Sequence, residues 1–209
     1  MSEPSIDLWF TMGSTYTYLT MARLEDVTAR HGVAFRLRPF RTVGALTGAT
    51  QPPFTEGSAK FRYMWRDIER RAALHALPVR FPVAYPAPNP VRANRVALIG
   101  MREGWGAAYV REAYRLWFEQ GIGNGGAENL HGALTACGQA REIERILAEA
   151  ESEEVAGALA AATEEARGLG VFGSPIFVVA TELFWGDDHL DDAIRWALHG
   201  RLTGPRPGG

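Results

Sequence analysis

Ser5 to Thr11 alternates apolar and polar positions and then turns apolar, the pattern of a buried strand. Gly13-Ser14 breaks it. From Tyr16 onward, Tyr18, Leu19, Ala22, Leu24, Val27 and Ala29 recur at helical spacing until Gly32, which predicts one helix over that stretch. Val33 to Phe40 reads as a second strand, closed by Pro39. A crossover of this length between two strands makes them parallel.

From Glu56 to about Gly168 helical periodicity takes over. Phe61, Met64, Trp65, Ile68 and Ala72 share one face; Trp105, Ala108, Tyr109, Tyr114, Leu116 and Trp117 share another; Ile143, Ile146, Leu147, Val155, Leu159 and Ala162 continue among many alanines. The longest interruption is the proline-rich Leu77 to Pro90, and no convincing strand intervenes. Strand character returns in Pro175 to Ala180, and Glu182 to Trp185 follows after the two-residue break Ala180-Thr181, which predicts a hairpin. A helix from about His189 to Leu198 precedes a Gly/Pro-rich tail, Gly200 to Gly209, expected to be mobile. The order βαβ, helical insert, ββα is an α/β arrangement of the thioredoxin-like kind. It divides into a discontinuous thioredoxin-like domain (1–55 and 169–200), a helical insertion (56–168) and a flexible tail (201–209).

Composition narrows the chemistry. Lys+Arg 22 against Asp+Glu 24 gives a net charge of -2 with the charges dispersed, which argues against a nucleic-acid footprint, since that needs a concentrated basic face. The longest stretch without a charged residue, Leu8 to Ala22, is 15 residues, short of a membrane helix. Met1-Ser-Glu-Pro is acidic and no basic residue precedes Arg23, unlike a secretory signal. A single cysteine, Cys137, excludes an internal disulfide framework, a CxxC redox pair and a cysteine metal cluster. The expectation is a soluble protein of the cytoplasm.

Most motifs have an ordinary explanation. Gly121, Gly123, Gly126 and Gly168, Gly170, Gly173 both match GxGxxG, but neither triplet leads from a strand into a helix as a dinucleotide site requires, so both read as helix stops. The five histidines show no HxxxH or HxH pairing, and no metal site is expected. Ser14 stands where the first strand gives way to a helix. There it is either a plain N-cap or a hydroxyl aimed, with the helix dipole, at an anion such as a thiolate. Pro175 either opens a strand in the trans form or carries a cis bond that exposes the Ser174 backbone to an extended ligand. Asp187 and Asp188 precede the last helix, as a cap or as receivers of a ligand ammonium; capping explains Asn89 as well as binding does. The run Lys60 to Arg70 reads as a charged helix face.

Taken together, Gly13-Ser-Thr-Tyr-Thr-Tyr-Leu19, the Lys60 to Arg70 run, Asn89-Pro-Val-Arg-Ala-Asn94, and above all Gly170-Val-Phe-Gly-Ser-Pro-Ile-Phe-Val178 with Phe184-Trp-Gly-Asp-Asp-His189 resemble the 2-hydroxychromene-2-carboxylate isomerase family. That family is allied to kappa-class glutathione transferases and DsbA-like proteins, and the resemblance runs in consistent order over about residues 5 to 199. It implies a thioredoxin fold with a helical insertion, a homodimer, glutathione as cofactor and a small aromatic carboxylate as substrate. It also implies that Ser14 hydrogen-bonds the glutathione sulfur. Ser174, before a cis-Pro175, would pair with the glutathione backbone. Asp187 and Asp188 would meet the γ-glutamyl end. Lys60 would face glutathione, and Tyr16, Asn89 and Arg92 the substrate. The chain departs from the family at Thr15 (commonly Pro), at Asp187-Asp188 (Asn-Asp) and at His189 (Arg), and Thr47 to Pro53 lacks an asparagine often found there. A glutathione transferase on the same fold, or a non-catalytic module binding peptides beside Pro175, are the rival readings. A thiol-disulfide route lacks its nucleophile, because Ser14 stands where thioredoxin-like enzymes keep sulfur.

Overall fold

The computed structural model describes residues 4–49 and 54–202; the remainder of the Thr47 to Pro53 segment, most of the Gly200 to Gly209 tail and residues 1–3 lie outside the described residues. In chain order the elements are β1 (Ser5–Phe10), α1 (Thr15–Met21), α2 (Leu24–His31), β2 (Ala34–Pro39), α3 (Val43–Thr47), α4 (Ala59–Leu74), α5 (Pro90–Glu103), α6 (Gly106–Gln120), α7 (Ala127–Ala136), α8 (Ile143–Glu149), α9 (Glu153–Gly168), β3 (Ile176–Val179), β4 (Glu182–Trp185) and α10 (Leu190–His199). A 3-10 turn, Asp187–His189, leads into α10. As the sequence predicts, β1 and β2 are parallel and β3 and β4 form a hairpin; β3 runs antiparallel to β1. The sheet order is β2-β1-β3-β4, the thioredoxin-like arrangement.

One element differs from its sequence reading. The run from Tyr16 to Gly32 is two helices, because the end of α1 tightens: the Arg23 N–H donates to the Thr20 carbonyl at 3.1 Å, an i to i-3 bond, and Arg23 becomes the N-cap of α2. Periodicity survives such a break because both helices lay their apolar residues on the same core. The short α3 was not legible as a helix. Thr42 caps it by accepting from the Ala45 N–H.

Alternation along β1 divides the core. Ile6, Leu8 and Phe10 face one side, in a buried cluster with Phe177, Val96, Tyr109, Val110 and Trp117. Trp9 faces the other, with Ile176, Val178, Phe40, Leu46, Val171 and Ala166 of α9. Residues 56–168 contain no strand, as expected, but their helices share the core of the sheet and cover both its faces. The inserted helices therefore bear on whatever the sheet presents at its ends.

Candidate functional site

Antiparallel register sets the site. Trp9 lies opposite Ile176, and extending that register by two residues brings Thr11, just past β1, beside Ser174. The Thr11 N–H donates to Ser174 Oγ at 2.9 Å, and Ser174 Oγ shares a 3.0 Å bond with Thr17 Oγ1 of α1. The Ser174-Pro175 bond is cis. Ser14 is the N-cap of α1, yet its side chain makes no capping bond; the hydroxyl donates to the Ser174 carbonyl at 2.8 Å. The N-cap reading thus accounts for the backbone of Ser14 but not for its hydroxyl, which is turned to the residue before the cis-proline. Gly173 completes the loop, since any Cβ there would run into the Trp185 indole.

The acidic pair divides. The Gly186 N–H donates to the Pro175 carbonyl at 2.9 Å, which seats the Asp187–His189 turn next to the proline. Asp187 is buried, and its carboxylate is taken up within the protein. Arg23 meets Oδ1 at 2.6 Å, Arg71 meets Oδ2 at 2.8 and 3.1 Å, and Thr20 Oγ1 donates to Oδ1 at 3.1 Å. With Oδ1 held by Arg23 and Thr20 and Oδ2 by Arg71, Asp187 joins α1, α4 and the turn. Asp188 is the available carboxylate, 58% exposed, with His189 Nδ1 3.6 Å away. Neither acid caps α10, whose N-cap is His189.

Tyr16, half-buried on the first turn of α1, donates its hydroxyl to Asp67 Oδ2 at 3.2 Å, and burial, with Asp67 beside it, pushes its phenol up. Its ring lies 6.5 Å from that of Phe54, over which Lys60 Nζ sits at 5.5 Å. Tyr16 and Lys60 therefore share a neighbour. Asn89 is a cap: its side chain accepts from the Arg92 N–H at 3.0 Å. Its helix nevertheless abuts the serine turn, because a Cβ placed on Gly13 would lie 3.1 Å from Pro90 Cβ. Arg92 Nε pairs with Glu151 at 2.8 Å, so its charge is already engaged. Met64 is core and accepts from Thr15 Oγ1 at 3.2 Å. Cys137 ends α7, donates to the Leu134 carbonyl, and is pushed up by burial, which makes it a poor thiolate. Gly121 ends α6 and Gly168 ends α9, in keeping with helix stops, whereas Gly126 is the N-cap of α7 and begins a helix, a correction to that reading.

Arg23, Arg71, Asn94, Asn124 and Tyr114 were not assigned from the sequence. Asn94 stands in a helix-start segment and Tyr114 on an apolar helix face, and no local pattern marks Arg23, Arg71 or Asn124.

Residues 5–194 match the DSBA-like thioredoxin domain family. A 2-hydroxychromene-2-carboxylate isomerase of Sphingobium xenophagum is 29% identical over 189 residues, 90% of this chain and 94% of that protein. One from Pseudomonas putida is 26% identical, over 88% and 90% of the two chains. The solved structure of a 2-hydroxychromene-2-carboxylate isomerase superposes with a TM-score of 0.77 at 23% identity, covering 90% of this chain and 91% of the other, a likeness of fold.

Proposed function

The chain belongs to the DSBA-like thioredoxin domain family, and from that premise we propose that it is a glutathione-dependent cis-trans isomerase of 2-hydroxychromene-2-carboxylate or a related aromatic-degradation intermediate. One observation carries the reading: the Ser14 hydroxyl, at the head of α1, bypasses its helix and points to the residue before cis-Pro175. Two relatives named for this isomerase, matched over nearly the whole chain, support the substrate class.

The residues suit glutathione. A hydroxyl has one proton to donate, and that of Ser14 is held by the Ser174 carbonyl. An extended peptide pairing with the Ser174 backbone would take over that carbonyl with its own N–H, leaving the Ser14 proton to turn to the sulfur. The first turn of α1, which no side chain caps, adds the positive end of its dipole. Both favour the thiolate over the thiol. Asp188, exposed on that turn, would meet the γ-glutamyl ammonium, with Asp187 holding the turn. Tyr16 and Phe54 offer a phenol and a ring to an aromatic substrate, and Lys60, over the Phe54 ring, offers a cation to a carboxylate of glutathione. Bound glutathione would supply a sulfur nucleophile that adds reversibly to the conjugated double bond, making it a rotatable single bond with no net oxidation. The protein's share is to hold that sulfur ionised and to orient both partners.

A homodimer in the cytoplasm completes the proposal, since a reducing compartment keeps the cofactor's thiol free. Assaying the protein with the chromene carboxylate, with and without glutathione, and with glutathione and an aryl halide, tests it. Isomerisation only with glutathione supports the reading; conjugation of the halide without isomerisation makes the protein a transferase. Isomerisation of equal rate without glutathione overturns the mechanism.

A further inference from the structure

Thr11 and Met12 lie past the end of β1 and are buried, so their peptide groups need partners that the sheet does not provide. Ser174 Oγ takes the Thr11 N–H, and the inserted helices provide the rest. Asn94 of α5 accepts the Met12 N–H on Oδ1 at 2.8 Å, and its Nδ2 donates to Thr11 Oγ1 at 3.0 Å and to the Arg41 carbonyl at 2.9 Å. Asn124, in the loop between α6 and α7, donates from Nδ2 to the Met12 carbonyl at 2.9 Å. Tyr114 of α6 donates to the Thr11 carbonyl at 3.0 Å, which also receives the Ser14 N–H at 3.0 Å. Both asparagines are fully buried. Asn124 keeps its place although Oδ1 has no partner, an arrangement that is destabilising in itself. Its loop is shaped for the contact: Gly125 has a φ of +79°, any Cβ there would strike the Asn89 carbonyl, and the Asn89 N–H bonds the Asn124 carbonyl.

We infer that Asn94 and Asn124 are positioning residues for Ser14. They grip Met12 by its N–H and its carbonyl, and so aim the hydroxyl two residues on at the cis-proline backbone. What Ser14 then does to a sulfur rests on the glutathione reading above; what holds Ser14 does not. Asn94 suits the task because it must accept from one group and donate to two others. Aspartate of the same shape would set an oxygen against the Arg41 carbonyl.

The test uses the full chain with Asn94→Ala, Asn124→Ala and Tyr114→Phe, and Ile146→Ala as a control. Ile146 is buried in α8 and makes no bond to the turn, so its truncation lowers Tm alone. Tyr114→Phe keeps its ring packing and reads the turn even where an asparagine variant folds poorly. Two quantities are measured: hydrogen exchange of the Ser14 amide in the free protein, and the thiolate absorbance of bound glutathione against pH. The three turn variants are expected to exchange about tenfold faster at Ser14 and to raise the bound thiol's pKa by about one unit, tenfold in its ionisation constant. Ile146→Ala leaves both at wild-type values. Turn variants that lose Tm like Ile146→Ala but keep wild-type Ser14 exchange overturn the inference. If wild type binds no glutathione while the variants still loosen Ser14, the cofactor reading falls and the positioning role stands.

Discussion

Under the proposed function, Ser14 and Asp188 are the residues at which single substitutions speak to chemistry rather than to folding. Removing one preorganised donor from a developing or held anion costs about 10²-fold in turnover. Ser14→Ala is therefore expected to lower kcat for isomerisation by about that factor, with the affinity for S-methylglutathione, which has no ionisable sulfur, little changed. Steady-state kinetics with calorimetry checks it. Asp188 is exposed and would touch only the ammonium end of the cofactor, a contact equally present before and during reaction. Asp188→Asn should therefore raise the KM for glutathione by about tenfold and leave kcat alone, the signature of lost uniform binding. An unchanged KM would remove Asp188 from the site.

At the scale of elements, the buried Asp187 joins three segments. Its neighbours Arg23 and Arg71 are largely enclosed, so losing the carboxylate strands two guanidinium charges. Asp187→Ala is expected to destabilise the fold by about 3–5 kcal/mol, measured by denaturant unfolding, far more than loss of the exposed Asp188. A cost below about 1 kcal/mol, the range of surface pairs, would contradict the account. This clamp also explains what could and could not be read beforehand. Strands and helices are written locally, in alternation and periodicity, so β1, β2, the β3–β4 hairpin and the inserted helices were legible. Arg23 and Asp187 lie 164 residues apart, and nothing in either neighbourhood names the other. The break between α1 and α2 is illegible for the same reason, since Arg23, which caps α2 there, pairs with that distant carboxylate. Position alone leaves Ser14 between a plain cap and an anion-facing hydroxyl, and Ser174 dependent on the isomer of Pro175, with the resemblance deciding between them, whereas Asn94 and Asn124 look like any helix-start or loop asparagine.

Across the whole molecule, the insertion and the sheet behave as one body with a shared core, and the same holds for the response to acid. His75 caps α4 beside Arg23 and Arg71, and burial followed by those cations lowers its pKa from 6.5. A folded state that resists the proton has its full stability above the unfolded pKa and loses it as pH falls below about 6.5. Glu103, bound by Arg145, Trp105 and Arg102 on the outer side of the insertion, is pulled from 4.5 down to about 2. Its contribution is whole above about pH 4.5 and gone once pH has dropped through about 2. Unfolding free energy measured from pH 8 to 2 should thus decline in two stages. His75→Gln should flatten the upper stage and Glu103→Gln the lower, the latter also shrinking in high salt. A curve level down to pH 4.5 would contradict the upper stage.

The central claim is that the reacting sulfur arrives with glutathione and is held at Ser14. It is tested most directly by following isomerisation of the chromene carboxylate with glutathione and then with S-methylglutathione at saturating concentration. The account predicts turnover with the first and none above background with the second, which would act as a competitive inhibitor of glutathione. Equal turnover with both would contradict it, since the methylated sulfur cannot form the thiolate on which the proposed mechanism depends.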